Sequence, residues 1–145
     1  EDKWDTHVTT MPANIFKRDD RFWLGYRGMQ GLYFDQGLGF ASSDNLLQWQ
    51  QETDEAPAIS IDEEIASMSI VQVGDAYIGI SQPTKIVNRR YWNSKDLLNW
   101  TKGPPVLIKS SGKVDTISNP FLVRGKWNVL YEQDDRIYQA VLGDN

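Results

Sequence analysis

The chain carries one histidine, His7, and no cysteine. A single imidazole rules out a two-histidine metal site within one chain and leaves only a symmetric pair across two chains. Disulfides, thiolate ligands and a cysteine nucleophile are excluded outright. His7 reads most simply as an exposed or hydrogen-bonded strand residue. No serine sits in a Gly-x-Ser-x-Gly elbow, and Gly25-Tyr26-Arg27-Gly28-Met29-Gln30-Gly31 lacks the strand-to-helix context that cradles phosphate. The acidic run from Glu52 to Glu64 lacks the Asp-x-Asp-x-Asp-Gly chemistry of a calcium loop and reads as a solvated connection. Arg89-Arg90, beside Tyr91 and Trp92, reads as a strand edge, with an anion or partner contact as the alternative. No metal and no cofactor is expected.

Whatever chemistry remains must be positioned by an ordered scaffold, and the composition fits one. Apolar residues make up 40% and aromatics 12% of the 145 residues, against 24% charged, the balance of a folded chain. At 16.6 kDa one compact architecture is expected, repeated or not. A net charge of −5 supplies no field to attract phosphates, so nucleic acid is not an expected partner. No apolar run approaches the roughly 20 residues that span a bilayer. The first residues are unlike a secretory signal, so the chain reads as soluble, or as mature after a processing step, with no membrane partner expected and its compartment unknown.

The scaffold is legible as a repeat. Ser43-Asp44-Asn45-Leu46-Leu47-Gln48-Trp49 and Ser94-Lys95-Asp96-Leu97-Leu98-Asn99-Trp100 match over seven positions and lie 51 residues apart. Each joins two strand-like stretches, and Ser and Asn/Asp side chains suit such a corner because they bond nearby backbone amides. Upstream stands a second unit, a hairpin with a polar turn at Asp19-Asp20, Gly74-Asp75 or Arg124-Gly125. Phe22, Tyr77 and Trp127 follow those turns, as expected of strands buried between packed sheets. Helical periodicity is nowhere sustained.

These units predict an all-β chain of three four-stranded antiparallel propeller blades, about residues 8–53, 54–103, and 104–145 completed by 1–7. If the first residue is placed after Asn145, Trp4 follows Asn145 by four positions, as Trp49 follows Asn45 and Trp100 follows Asp96. A first strand that supplies the last blade's outer strand removes an open sheet edge. Closure in this way would make the 145 residues a complete unit, an expectation that leaves open whether the gene encodes a longer protein. Three blades are too few for a comfortable ring, so a homodimer forming six blades is expected, the N-terminal strand closing its own or its partner's blade.

The corner, Ser94, Asp96, Leu97 and Trp100, with Asn45 in the Asp place among Ser43, Leu46 and Trp49, resembles blades of the five-bladed glycoside hydrolases that act on arabinan, xylan and fructan. Asn119-Pro120-Phe121-Leu122-Val123 followed by Lys126-Trp127-Asn128-Val129-Leu130-Tyr131 is similar to that family's opening hairpin. The resemblance implies three carboxylates on inner strands around a channel, a pair of which straddles a glycosidic bond. At the corresponding places stand Met11 before Pro12, Met68 before Ser69 and Asn119 before Pro120. The first blade's turn reads as up to three residues longer, which would put Ala13 in the place of Met11. None of these transfers a proton. The remaining carboxyls are Glu132, a weak candidate for catalysis, then Asp5, Asp115, Glu63 and Glu64.

Three functions follow. The first is a non-catalytic, degenerate glycosidase-like propeller that binds carbohydrate at the channel mouth. Its candidate ligand-binding residues are Thr10, Met11, Tyr26, Ser67, Met68, Gln82, Ser118, Asn119 and Glu132, with Tyr26 as a stacking platform. The second is a protein-interaction or assembly scaffold, and the third an active glycosidase.

Overall fold

In a computed structural model, residues 12–30, 35–60, 65–83, 89–109, 114 and 117–143 are described. They form eleven strands and no helix: β1 (Pro12–Arg18), β2 (Arg21–Gln30), β3 (Asp35–Ser43), β4 (Gln50–Gln51), β5 (Ile65–Val73), β6 (Ala76–Pro83), β7 (Arg90–Ser94), β8 (Trp100–Pro105), β9 (Phe121–Val123), β10 (Lys126–Gln133) and β11 (Arg136–Val141). Three antiparallel sheets run in the orders β1-β2-β3-β4, β5-β6-β7-β8 and β9-β10-β11. The chain is all-β, built of propeller blades.

Each blade opens at an expected turn. Asp19 and Asp20, and Arg124 and Gly125, all have positive φ, the twist a two-residue hairpin turn needs. Gly74 supplies it in the second blade. The turn of the first blade is no longer than the others, because Arg18 pairs with Arg21 just as Val73 pairs with Ala76 and Val123 with Lys126. The apparent extra length comes instead from a register shift between Pro12 and Ile15.

The Ser corners close as their chemistry requires. Ser43 Oγ accepts from Leu46 N at 2.9 Å, and Ser94 Oγ from Leu97 N at 2.8 Å. Asn45 and Asp96 then cap the two following amides at 2.8–3.0 Å. The turn drives both leucines into the left-handed region, with φ 65° at Leu46 and 70° at Leu97. The two corners differ in surroundings. Leu97 is fully buried (0%), whereas Leu46 is 44% exposed.

That difference follows from how blades stack. The core between the first two blades holds Trp23, Phe40, Met68, Ile70, Tyr77, Trp92 and Leu97, with Phe16 and Trp100 at its margin. The corner of the second blade therefore seals the seam with the first. Arg18 crosses the same seam, lying over the rings of Trp23 and Tyr77 and donating to Asp96 O at 2.7 Å. A second core, built on Ile80, Ile117 and Val129, joins the second and third blades.

The third sheet has three strands among the described residues; the expected fourth, residues 1–7, lies outside them. Leu142 N donates to Trp127 O at 2.8 Å, which puts Leu142 in the sheet position that Ser94 holds opposite Tyr77. Counted from Leu142, the distance to Trp4 across the chain ends is one residue more than from Ser43 to Trp49 or Ser94 to Trp100.

Candidate functional site

Of the first strands of the blades, β1 and β5 contact each other directly. Chemistry there depends on which side chains the inner strands turn into the seams. Met68 is one of these. It is 1% exposed and lies over Gly79, where an added Cβ would collide with its sulfur. Met68 is therefore part of the core between the first two blades. A register shift between Ile65 and Ser67 sets its orientation. In the third blade the same place opposite β10 is taken by Ile117, which bridges Tyr131, as Met68 pairs with Ser81.

The neighbouring positions carry the polar groups. Ser69 Oγ donates to Asn119 Oδ1 at 2.5 Å, linking the inner strand of the second blade to the approach to the third. Ser118 Oγ accepts from Leu130 N and donates to Asn119 O, both at 2.9 Å. These two bonds fix the backbone beside Asn119, which is exposed, while Ser69 is buried. Ser67 stands half-buried opposite Gln82. Gln82 donates to Ile117 O at 3.2 Å and accepts from Arg89 Nε at 2.9 Å, and Arg89 reaches Val114 O at 3.3 Å. Gln82 and Arg89 thus stitch the second blade to the segment that enters the third. Arg90 donates to Gly103 O at 3.3 Å, so each arginine of the basic pair reaches a backbone carbonyl, and Arg89 the Gln82 side chain as well.

The remaining candidates fall elsewhere. Tyr26 is buried with Ala41 against Trp49, and its hydroxyl accepts from Gln51 Nε2 at 3.3 Å. It packs within the first blade and presents no open ring for stacking. Glu132 is exposed on β10, opposite Ile137, and stands in the place that Gln82 holds in the second blade. Thr10, Met11, Asp5, His7, Glu63, Glu64 and Asp115 lie outside the described residues, and nothing is described of the side chain of Ala13. Sequence reasoning missed Ser69. Only the bulges distinguish it from Met68, and bulges leave no signature in residue type.

Among the described residues, no group of three or more His, Asp or Glu side chains could hold a metal ion, and no helix is long and apolar enough to cross a membrane. A cleft of 340 Å³ opens between the second and third blades, lined chiefly by Val71, Ile78, Tyr91, Pro104, Trp127 and Leu142. Its walls are nearly all apolar, and burial raises the Tyr91 phenol above its usual pKa. This cleft is a gap in blade packing, separate from the Ser69–Asn119 pair.

No protein-family model and no curated protein matches the chain. Solved structures do. A glycosyl hydrolase from Bacteroides ovatus superposes with a TM-score of 0.69 at 19% identity, covering 95% of this chain and 47% of that one. A family 117 glycoside hydrolase from the marine bacterium Zobellia galactanivorans gives 0.65 at 14% identity, covering 88% and 49%. A GH32 β-fructofuranosidase from Bombyx mori gives 0.62 at 17% identity, covering 81% and 28%. The chain shares the blade fold of the five-bladed glycoside hydrolase propellers. It spans about half the length, or less, of the structures it matches.

Proposed function

We propose that this chain is a degenerate, glycosidase-like propeller unit that binds carbohydrate without cleaving it. The observation that carries the reading is the Ser69–Asn119 pair. The Ser69 hydroxyl stands beside Met68, and the Asn119 carboxamide stands just before β9; Met68 and Asn119 occupy two of the places where the resemblance expects carboxyls. Beyond the accepted Ser69 bond the Asn119 amide keeps two N–H donors, suited to sugar hydroxyls but unable to exchange protons near neutral pH. The sugar chemistry of the fold's neighbours supports carbohydrate as the ligand class.

A glycan array followed by calorimetry on the best ligand tests this reading. The expected result is binding without turnover of aryl arabinosides, xylosides or fructosides, weakened at least about tenfold by Asn119→Ala, or about 1.4 kcal/mol. Turnover abolished by Glu132→Gln would replace it with an active glycosidase. Silence on every sugar would favour an assembly scaffold.

A further inference from the structure

Counted back from the hairpin turn, one place on the first strand of each blade is polar while the places after it are apolar. The last residues before the turns, Arg18, Val73 and Val123, pair with Arg21, Ala76 and Lys126. Four residues before them stand Asn14, Ser69 and Asn119. The two residues that follow each are Ile15-Phe16, Ile70-Val71 and Pro120-Phe121. Packing alone would favour an apolar residue at such a place, so its polarity in all three blades calls for another reason.

Backbone geometry singles out the same place. In the first blade a register shift sets Ala13 and Asn14 together against Gly25. In the third, Ser118, Asn119 and Pro120 fill the interval between the Ile117–Tyr131 bridge and the Phe121–Asn128 pair, one residue more than β10 spends on it. The shift in the second blade falls earlier, between Ile65 and Ser67. Bulges bend a strand, re-aim its side chains and gather beside functional sites. Two members of the row are already joined, Ser69 to Asn119. The strand that carries Asn14, β1, contacts β5, which carries Ser69.

On the carbohydrate reading proposed above, on which this step rests, we infer that the site continues from Ser69 and Asn119 onto β1, with Asn14 as its third polar residue, and that its ligand is a neutral oligosaccharide. A row shared by three blades is longer than one sugar ring needs and suits a chain of sugars. A hydroxyl and two carboxamides bond sugar hydroxyls and carry no charge. The net charge of −5 repels acidic saccharides.

Calorimetry of the 145-residue chain with arabinotriose, xylotriose and kestose, set against arabinose, xylose and fructose, tests it, with trigalacturonate as an acidic probe. At least one neutral trisaccharide is expected to bind about tenfold tighter than its monosaccharide, or more. Asn14→Ala should erase that advantage and leave monosaccharide affinity unchanged, whereas Asn119→Ala should weaken both. Asn14→Asp keeps the shape of the residue but removes its amide donors, so it should act as Asn14→Ala does and reports even where the alanine variant fails to fold. Trisaccharide binding that Asn119→Ala weakens but both Asn14 variants leave unchanged overturns the inference while the carbohydrate reading stands. So does a trisaccharide bound no tighter than its monosaccharide. Tighter binding of trigalacturonate than of any neutral trisaccharide overturns the neutral ligand. Silence on every sugar overturns this inference and the carbohydrate reading together.

Discussion

Trp100 stacks on Phe40 across the seam between the first two blades, with ring centroids 6.0 Å apart and planes 13° from parallel. The stack sits beside fully buried Leu97, so one corner carries both a large apolar area and an aromatic contact. Trp100→Ala should lower unfolding free energy by about 2–3 kcal/mol, less than for a completely buried tryptophan. Urea denaturation followed by circular dichroism measures it. Trp49→Ala, whose ring packs only within its own blade, should cost less in the isolated chain.

Asp96 predicts an acid response. Burial alone would raise its pKa, but hydrogen bonds from the Asn99 side chain and backbone, Leu98 and Ser94 together hold it below the ordinary 3.8. A carboxyl depressed in the folded state stabilises fully above its unfolded pKa, and the contribution is lost as pH falls through the folded value. Melting temperature should therefore drop on the limb below 3.8. Asp96→Asn should flatten that part of the limb while keeping the turn, because Asn45 already caps the equivalent corner.

Arg18 holds its seam with a planar cation. Its guanidinium carbon lies 5.4 Å from the Trp23 ring centroid and 5.7 Å from that of Tyr77. Arg18→Lys keeps the charge but loses the flat contact and the directed bond to Asp96 O. A loss of about 1–2 kcal/mol is expected by thermal or urea unfolding.

Gly79→Ala tests how tightly Met68 is seated. The added methyl meets the Met68 side chain within a core that has little slack. Overpacking of this kind costs about 1–3 kcal/mol. The double variant Gly79→Ala with Met68→Ala should be more stable than the sum of the single changes implies, as read from a double-mutant cycle.

The sequence carried the blades well because their signals are local. Ser43, Asn45, Ser94 and Asp96 bond amides two or three residues away, and the turns at Asp19, Gly74 and Arg124 are set by neighbouring residues. The inner-strand site was harder to see. Whether Met68 or Ser69 points into a seam depends on a register shift at Ile65–Ser67. That shift is fixed by pairing with a strand about a dozen residues away, not by residue type. Tyr26 shows the same limit. Its aromatic type suggested a sugar platform, but its fate is decided by Trp49, a residue in the corner beyond the next strand. In the third blade Leu142, without a serine's hydroxyl, leaves no mark in the sequence of its place opposite Trp127.

Among the described residues the second blade shares a core with the first and with the third, so two packed neighbours hold it. In a row of repeats, each unit's resistance to opening depends on how many neighbours must let go first. Amide hydrogens of β6 should therefore exchange most slowly with solvent, and those of β2 and β10 sooner. Within these three blades, protection would grade outward from the second.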